Sequence, residues 1–222
     1  MLLQETNRPG EAEPLLRRAL AIDEGSYGPD HPVVARRLNN LASLLKMMNR
    51  QGDVEPLLRR ALAIDEGCYG PDHPEVARVL NNLALLLQET DRLGEAEPLL
   101  RRALVIDEVS YGPYHPEVAR DLNNLAQLLL ETNRLGEAEP LMRRVLGIFL
   151  RFQVSTGHLH PHRDAAIRNY VGLLQKMGLT EQEIAEKLRE AFAQAGLEME
   201  AELKSNKEME KASSEPINGL TY

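Results

Sequence analysis

Apolar residues in this chain recur at helical spacing. In PEVARVLNNLALLLQET (74–90), Leu80, Leu83, Ala84 and Leu87 follow i, i+3, i+4, i+7, the stripe of a helix with one buried face. A second stripe, Ala96, Leu99, Leu100, Ala103 and Leu104, runs through EAEPLLRRALVIDE (95–108). The first helix is expected to start at Pro74, whose missing N–H costs nothing in a first turn, and to end near Thr90 before the turn DRLG. Pro98 is expected in the first turn of the second helix, where N–H groups have no intrahelical acceptor. The Gly-Pro of YGPDHP then separates this helix from the next.

The pair recurs every 42 residues. YGPDHP or YGPYHP begins at Tyr27, Tyr69 and Tyr111, and Pro14, Pro56, Pro98 and Pro140 keep the same step. Aligning 32–73 with 74–115 leaves 28 of 42 positions identical, which chance does not produce. A single helix pair cannot bury its apolar face, whereas stacked pairs share a continuous core. The expected fold is an all-α, right-handed α-solenoid of stacked antiparallel helix pairs.

LNNLALLLQETDRLGEAEPLLRRAL resembles a tetratricopeptide repeat. Leu83-Ala84 stands at that family's Leu-Gly position, and Ala96, Leu100 and Ala103 at its later Ala, aromatic and Ala positions. The 42-residue step, with a longer second helix and the YGPDHP loop, is similar to the kinesin-light-chain type of repeat. The resemblance covers residues 1–195, read as a partial first unit and about four further helix pairs. It implies a platform for protein–protein interaction and leaves the partner open, since such repeats serve many unrelated complexes.

The pattern departs from its period at both ends. The opening LLQETNRPGEAEPLL aligns with LLQETDRLGEAEPLL, so the first helix is a stump and the face of Leu15, Leu16 and Leu20 is expected to be poorly covered. After Leu146 the tyrosine is lost and the step from Pro116 to Pro161 lengthens to 45. An amphipathic helix is expected over 162–177, followed by a closing helix with Thr180 as N-cap and Glu183 completing a capping box. Residues 196–222 read as a tail, partly helical and then disordered.

Composition narrows the function classes. Leucine (38) and alanine (22) dominate and aromatics number only nine, which favours helices. The net charge of −8 argues against a nucleic-acid partner. The single cysteine, Cys68, excludes a disulfide framework and fits the cytoplasm. No apolar run approaches the ~18 residues of a membrane span, and the N-terminus lacks the pattern of a signal peptide.

The candidate binding surface follows from the helical wheel. Arg78, Asn81, Asn82, Leu85, Gln88 and Glu89 spread across the face away from the core stripe, with Val79 and Leu86 placed to meet a partner helix. First helices of tetratricopeptide arrays line the concave side, so the resemblance places this face in a groove. The matching positions are Arg36, Asn39, Asn40, Ser43 and Lys46 one unit earlier, Arg120, Asn123, Asn124 and Gln127 one unit later, and Arg168 and Asn169 in the last pair. Arginine donors fit carboxylates, and asparagine can both donate to and accept from a peptide backbone. The row therefore points to an extended or short helical peptide with acidic residues. The same groups have a structural alternative: the asparagines can satisfy neighbouring helices, and the arginines can pair with carboxylates such as Glu75 or Glu117.

Other chemistry-bearing residues read as structural. His31, His73 and His115 are expected to shape the loop that starts each next helix, and His158, His160 and His162 give only a weak metal signal. Each Arg pair, 17-18, 59-60, 101-102 and 143-144, is preceded by a Glu four residues before its first member, the favourable order on a helix. Cys68 matches Ser26 and Ser110 and reads as incidental. No phosphate loop, nucleophile elbow or paired-carboxylate site stands out, so no catalysis and no cofactor are expected. Two rival readings stand beside the peptide scaffold. One is a regulatory or sensor segment of a larger signalling ATPase or other multidomain protein; the other is a structural assembly module joining through its array ends, the poorly capped N-terminal one above all.

Overall fold

The computed structural model describes residues 9–197. The expected stump before residue 9 and the tail beyond Leu197 lie outside the described residues. The chain divides into two compact units between Asn133 and Arg134.

The first unit holds α1 (Pro9–Tyr27), α2 (Pro32–Met47), α3 (Gln51–Tyr69), α4 (Pro74–Glu89), α5 (Leu93–Tyr111) and α6 (Pro116–Glu131). Each helix packs on its neighbours in sequence, and α4 also touches α6. The period-3.6 stripes become its core. Val34, Ala35 and Leu38 of α2 meet Ala61 and Ile64 of α3 and Val79 of α4, and the next cluster repeats the arrangement with Val76, Ala77, Leu80, Ala103 and Ile106. Full burial of each valine, leucine or isoleucine here stabilises by about 1.5–3 kcal/mol. Ile22 on α1 is 56% exposed, whereas its equivalents Ile64 and Ile106 are 5% and 3% exposed. Leu15 is likewise exposed.

Both loop types have local causes. The short turns after α2 and α4 place Asn49 and Asp91 at φ 57° and 59°, a left-handed conformation that Asn and Asp tolerate better than most residues. The YGPDHP-type loops end on a histidine that caps the next helix. The backbone N–H groups of Val33, Glu75 and Glu117 donate to Nδ1 of His31, His73 and His115, each at 3.2 Å. The same rings stack on Tyr27, Tyr69 and Tyr111 with centroids 4.4–4.9 Å apart. Loop shape and helix start are thus set by one side chain.

The second helices begin earlier than the sequence suggests. Pro56 and Pro98 are the sixth residues of α3 and α5, not members of the first turn. Leu93 and Gly94 join the helix because Thr90-Asp91-Arg92 complete the turn alone. The helix stays continuous past Pro98, whose missing N–H forgoes the bond to the Gly94 carbonyl.

The second unit holds α7 (Leu135–Thr156), α8 (Arg163–Lys176) and α9 (Glu181–Gln194). At 22 residues α7 exceeds the 19 of α5 by three, the same three that lengthen the step to 45. His160 keeps the capping geometry, accepting at Nδ1 from the His162 N–H at 3.2 Å, and stacks on Phe149 at 4.3 Å in place of a tyrosine. Burial lowers its pKa. The capping box of Thr180 and Glu183 forms at the start of α9. Fully buried Tyr170 donates its hydroxyl to Glu139 at 2.7 Å.

Candidate functional site

The asparagine row is a ladder between repeats. Asn82 Nδ2 donates to Asn39 Oδ1 at 2.8 Å, and Asn124 Nδ2 donates to Asn81 Oδ1 at 3.1 Å. Each rung links the second Asn of one repeat to the first Asn of the repeat before. Asn39 and Asn81 are accordingly buried, the latter 2% exposed. Asn81 Nδ2 is also engaged, donating to the Ala77 carbonyl and to Asp121 Oδ1. Asn81 therefore offers no free group to a ligand. Asn40 stays exposed, while Asn82, Asn123 and Asn124 are half-buried.

The arginines differ from one repeat to the next. Arg36 is exposed and has no ion-pair partner among the described residues. Arg78 pairs with Glu75 at 2.6 Å. Arg120 pairs with Glu117 and also reaches Asp107 and Asp121 at 3.3 and 3.2 Å. The structural alternative is thus realised at Arg78 and Arg120. Farther along the face, Lys46 pairs with Glu89 at 2.8 Å, Gln88 and Gln127 lie beside Glu131, and the exposed Ser43 donates to the Asn39 carbonyl. Leu85 is half-buried, and Arg168 and Asn169 are exposed on α8 in the second unit.

Two cavities open along this face. One, of about 340 Å³, is lined by residues of α2, α3 and α4 that include Arg36, Asp65, Tyr69, Glu75 and Arg78. The other, of about 460 Å³, is lined among others by Ser43, Lys46, Met47, Val54, Asn82 and Glu89.

Sequence reasoning missed a second recurring element, the buried aspartates Asp23, Asp65 and Asp107 near the ends of α1, α3 and α5. Fourteen residues on stands Arg37, Val79 or Asp121. Arg37 donates to Asp23 at 2.6 Å. Val79 gives Asp65 nothing, and burial pushes that carboxyl up to about 6 against the pull of Arg78. Asp121 confronts Asp107, and burial raises both carboxyls, with their mutual repulsion adding to the effect on Asp121 and Arg120 opposing it. The signal was the 42-residue recurrence of IDE beside a varying neighbour at 37, 79 and 121.

The outer face is neutralised as its spacing suggests. Arg17, Arg59 and Arg101 pair with Glu13, Glu55 and Glu97 at 2.7–2.9 Å. Arg60 and Arg102 instead cross to Glu24 and Glu66 of the preceding repeat. Cys68 is exposed, its thiol donating to the Asp30 carbonyl. Among the described residues, no group of three or more His, Cys, Asp or Glu is placed to hold a metal ion, and no helix is long and apolar enough to cross a membrane.

Comparison with known proteins agrees with this architecture. The tetratricopeptide repeat family model matches residues 1–67, 55–108 and 75–151. Among solved structures, a kinesin light chain-type protein of nearly identical TPR-like repeats from Podosopora anserina is 24% identical. It aligns over 86% of this chain and 89% of its own, with a TM-score of 0.69. BtubC (BKLC) from P. vanneervenii is 20% identical over 100% of this chain and 81% of its own, with a TM-score of 0.75. YrrB, a TPR protein with an unusual peptide-binding site, is 16% identical over 86% and 81%, with a TM-score of 0.51. At these identities the likeness is one of fold. Among curated proteins, none matches the chain. The repeat length, the helix pairs and the family match together assign the chain to the tetratricopeptide repeat family.

Proposed function

We propose that the chain is a cytoplasmic, non-enzymatic scaffold that holds an extended or short helical peptide with acidic residues along the face of α2, α4 and α6. The tetratricopeptide fold serves protein–protein interaction, and the peptide-binding site ascribed to YrrB is an instance on a similar fold. The observation that carries the reading is the pair of cavities whose walls include Arg36, Ser43, Arg78 and Asn82. Among the described residues Arg36 supplies a cation without an ion-pair partner, and Asn40 an exposed amide one turn further along α2. With Arg78 and Arg120 already neutralised, the acidic preference rests chiefly on Arg36. A few exposed charge contacts contribute about 0.2–1 kcal/mol each, so affinity is expected near the micromolar range, about −8 kcal/mol, with apolar help.

The test is fluorescence polarisation of labelled acidic and neutral peptides against the full chain, with Arg36→Ala and Asn82→Ala alongside. Acidic peptides retained by the parent, weakened by salt and lost in Arg36→Ala support the reading. Equal binding by Arg36→Ala, or no binding at all, overturns it.

A second reading, self-association, is favoured by the exposed Ile22 and Leu15 of α1. Light scattering that gives a monomer mass at every concentration rejects it.

A further inference from the structure

The three aspartate sites form an internal series in which the chain itself shows what Asp65 would bind. All three aspartates lie at the same place in the repeat and are buried, and Asp23 and Asp107 each interact with the residue fourteen positions later. At the first site that residue is Arg37, and its guanidinium donates to Asp23 at 2.6 Å. At the third site a guanidinium again arrives, from Arg120, 3.3 Å from Asp107 Oδ2, while Asp107 Oδ1 stays buried without a partner. At the middle site the corresponding residue is Val79, whose apolar side chain packs into the core, and Arg78 is drawn to Glu75.

Asp65 is left 2% exposed, with Oδ2 buried and without a hydrogen-bond partner. A buried acceptor in that condition costs the folded chain its desolvation and returns nothing. The Asp65 side chain also borders the cavity of about 340 Å³ between α2, α3 and α4. Glu75 on the same wall is paired with Arg78, and the Tyr69 ring, stacked on His73, adds a flat apolar surface. A carboxylate at the base of a cleft, with an aromatic plane beside it, suits a planar cation with several donors.

We infer that this cavity is a subsite for an arginine side chain presented by a partner, with Asp65 as the acceptor of its guanidinium. The incoming group takes the role that Arg37 plays toward Asp23 within the chain. Arg36 and Arg78 line the same cavity, so the subsite adjoins the row proposed for acidic residues and differs from it in its acceptor, Asp65 on α3. A partner engaging both would carry an arginine close to an acidic residue.

Titration supplies an independent readout. With the carboxyl ionising at about 6, a guanidinium binds the ionised form; arginine affinity therefore rises as pH is raised from about 5 to about 7 and levels above. Arg36 and His31 at α2, Tyr69 on α3, Glu75 and Arg78 on α4 and His73 before it face the same site. Asp65→Asn is the control that assigns the pH step to Asp65.

The experiment is NMR titration of the full chain with acetyl-arginine N-methylamide, following the Asp65 carboxyl carbon and the Tyr69 ring, with the citrulline analogue as neutral isostere. The expected result is saturable shifts with arginine, at least about tenfold weaker binding of citrulline, and similar loss in Asp65→Asn. Val79→Arg, which rebuilds the Arg37–Asp23 arrangement, is expected to block arginine by filling the site from within. If that variant does not fold, Asp65→Asn and citrulline still decide. No shift in the parent, equal citrulline binding, or arginine binding unchanged in Asp65→Asn overturns the inference. Loss of acidic-peptide binding in Arg36→Ala with arginine binding retained would separate this subsite from the proposed peptide row.

Discussion

At the junction of α1 and α2 a buried aspartate meets an arginine, whereas at the junction of α5 and α6 the equivalent aspartate meets another aspartate. The helices, the capping histidine and the apolar neighbours are the same in kind, so the difference isolates the value of one position. Arg37 converts a buried carboxylate into a paired one. Asp121 adds a second carboxyl and depends on Asn81 and Arg120 to make it tolerable. The backbone accepts both, because the apolar stripe beneath them fixes the packing, and what the polar position changes is the local charge balance and its response to pH.

The largest expected effect tests that common base. Leu80→Ala, at a fully buried site shared by equivalents Leu38 and Leu122, should lower stability by about 2–5 kcal/mol in urea unfolding. A comparable loss in Leu122→Ala would show that the junction's polar residues do not set its packing.

Next is Asp121→Asn. Burial raises both Asp107 and Asp121 above the roughly 3.9 of an unfolded aspartate, so the folded state holds their protons more tightly. Below about pH 4 both states are protonated and the pair costs nothing; stability is then lost as pH rises through the folded-state ionisation toward neutrality. The Asn variant keeps an acceptor for Asn81 and removes the charge. It should be more stable than the parent at about pH 8 by about 1–3 kcal/mol, with the gap closing toward about pH 4.5 in matched urea titrations. A gap of constant size would discard the charge explanation.

The smallest effect belongs to Arg37→Val, which turns the first junction into a copy of the second. The arginine side chain is about one-third exposed, so losing the pair should cost about 1 kcal/mol. Urea unfolding of the variant beside the parent at neutral pH reads the loss.

Much of the fold could be read from periodicity, because helix stripes, histidine-ended loops, i,i+4 Glu–Arg pairs and the Thr180 capping box are local patterns with local physical causes. The candidate face was less accessible. A helical wheel gives the direction of Asn81 and not its depth, which depends on how closely α4 and α6 approach. Whether Arg78 is free turns on Glu75, three residues away, whereas Arg120 also depends on Asp107, thirteen away, and only the three-dimensional register brings those two together. Pro56 and Pro98 sit deeper in their helices than their spacing suggests, because the turns before α3 and α5 need fewer residues than a stretch such as DRLG supplies.

The asparagine ladder has a direction. Every rung donates from the later repeat to the earlier one, so the repeats join head to tail and no two can exchange roles. A further copy of residues 74–115 inserted after His115 would bring both an acceptor for the repeat that follows and a donor for the one that precedes. The array is in that sense a polymer whose monomer carries its own grammar of assembly, and its length is set by how many times the gene copied the phrase.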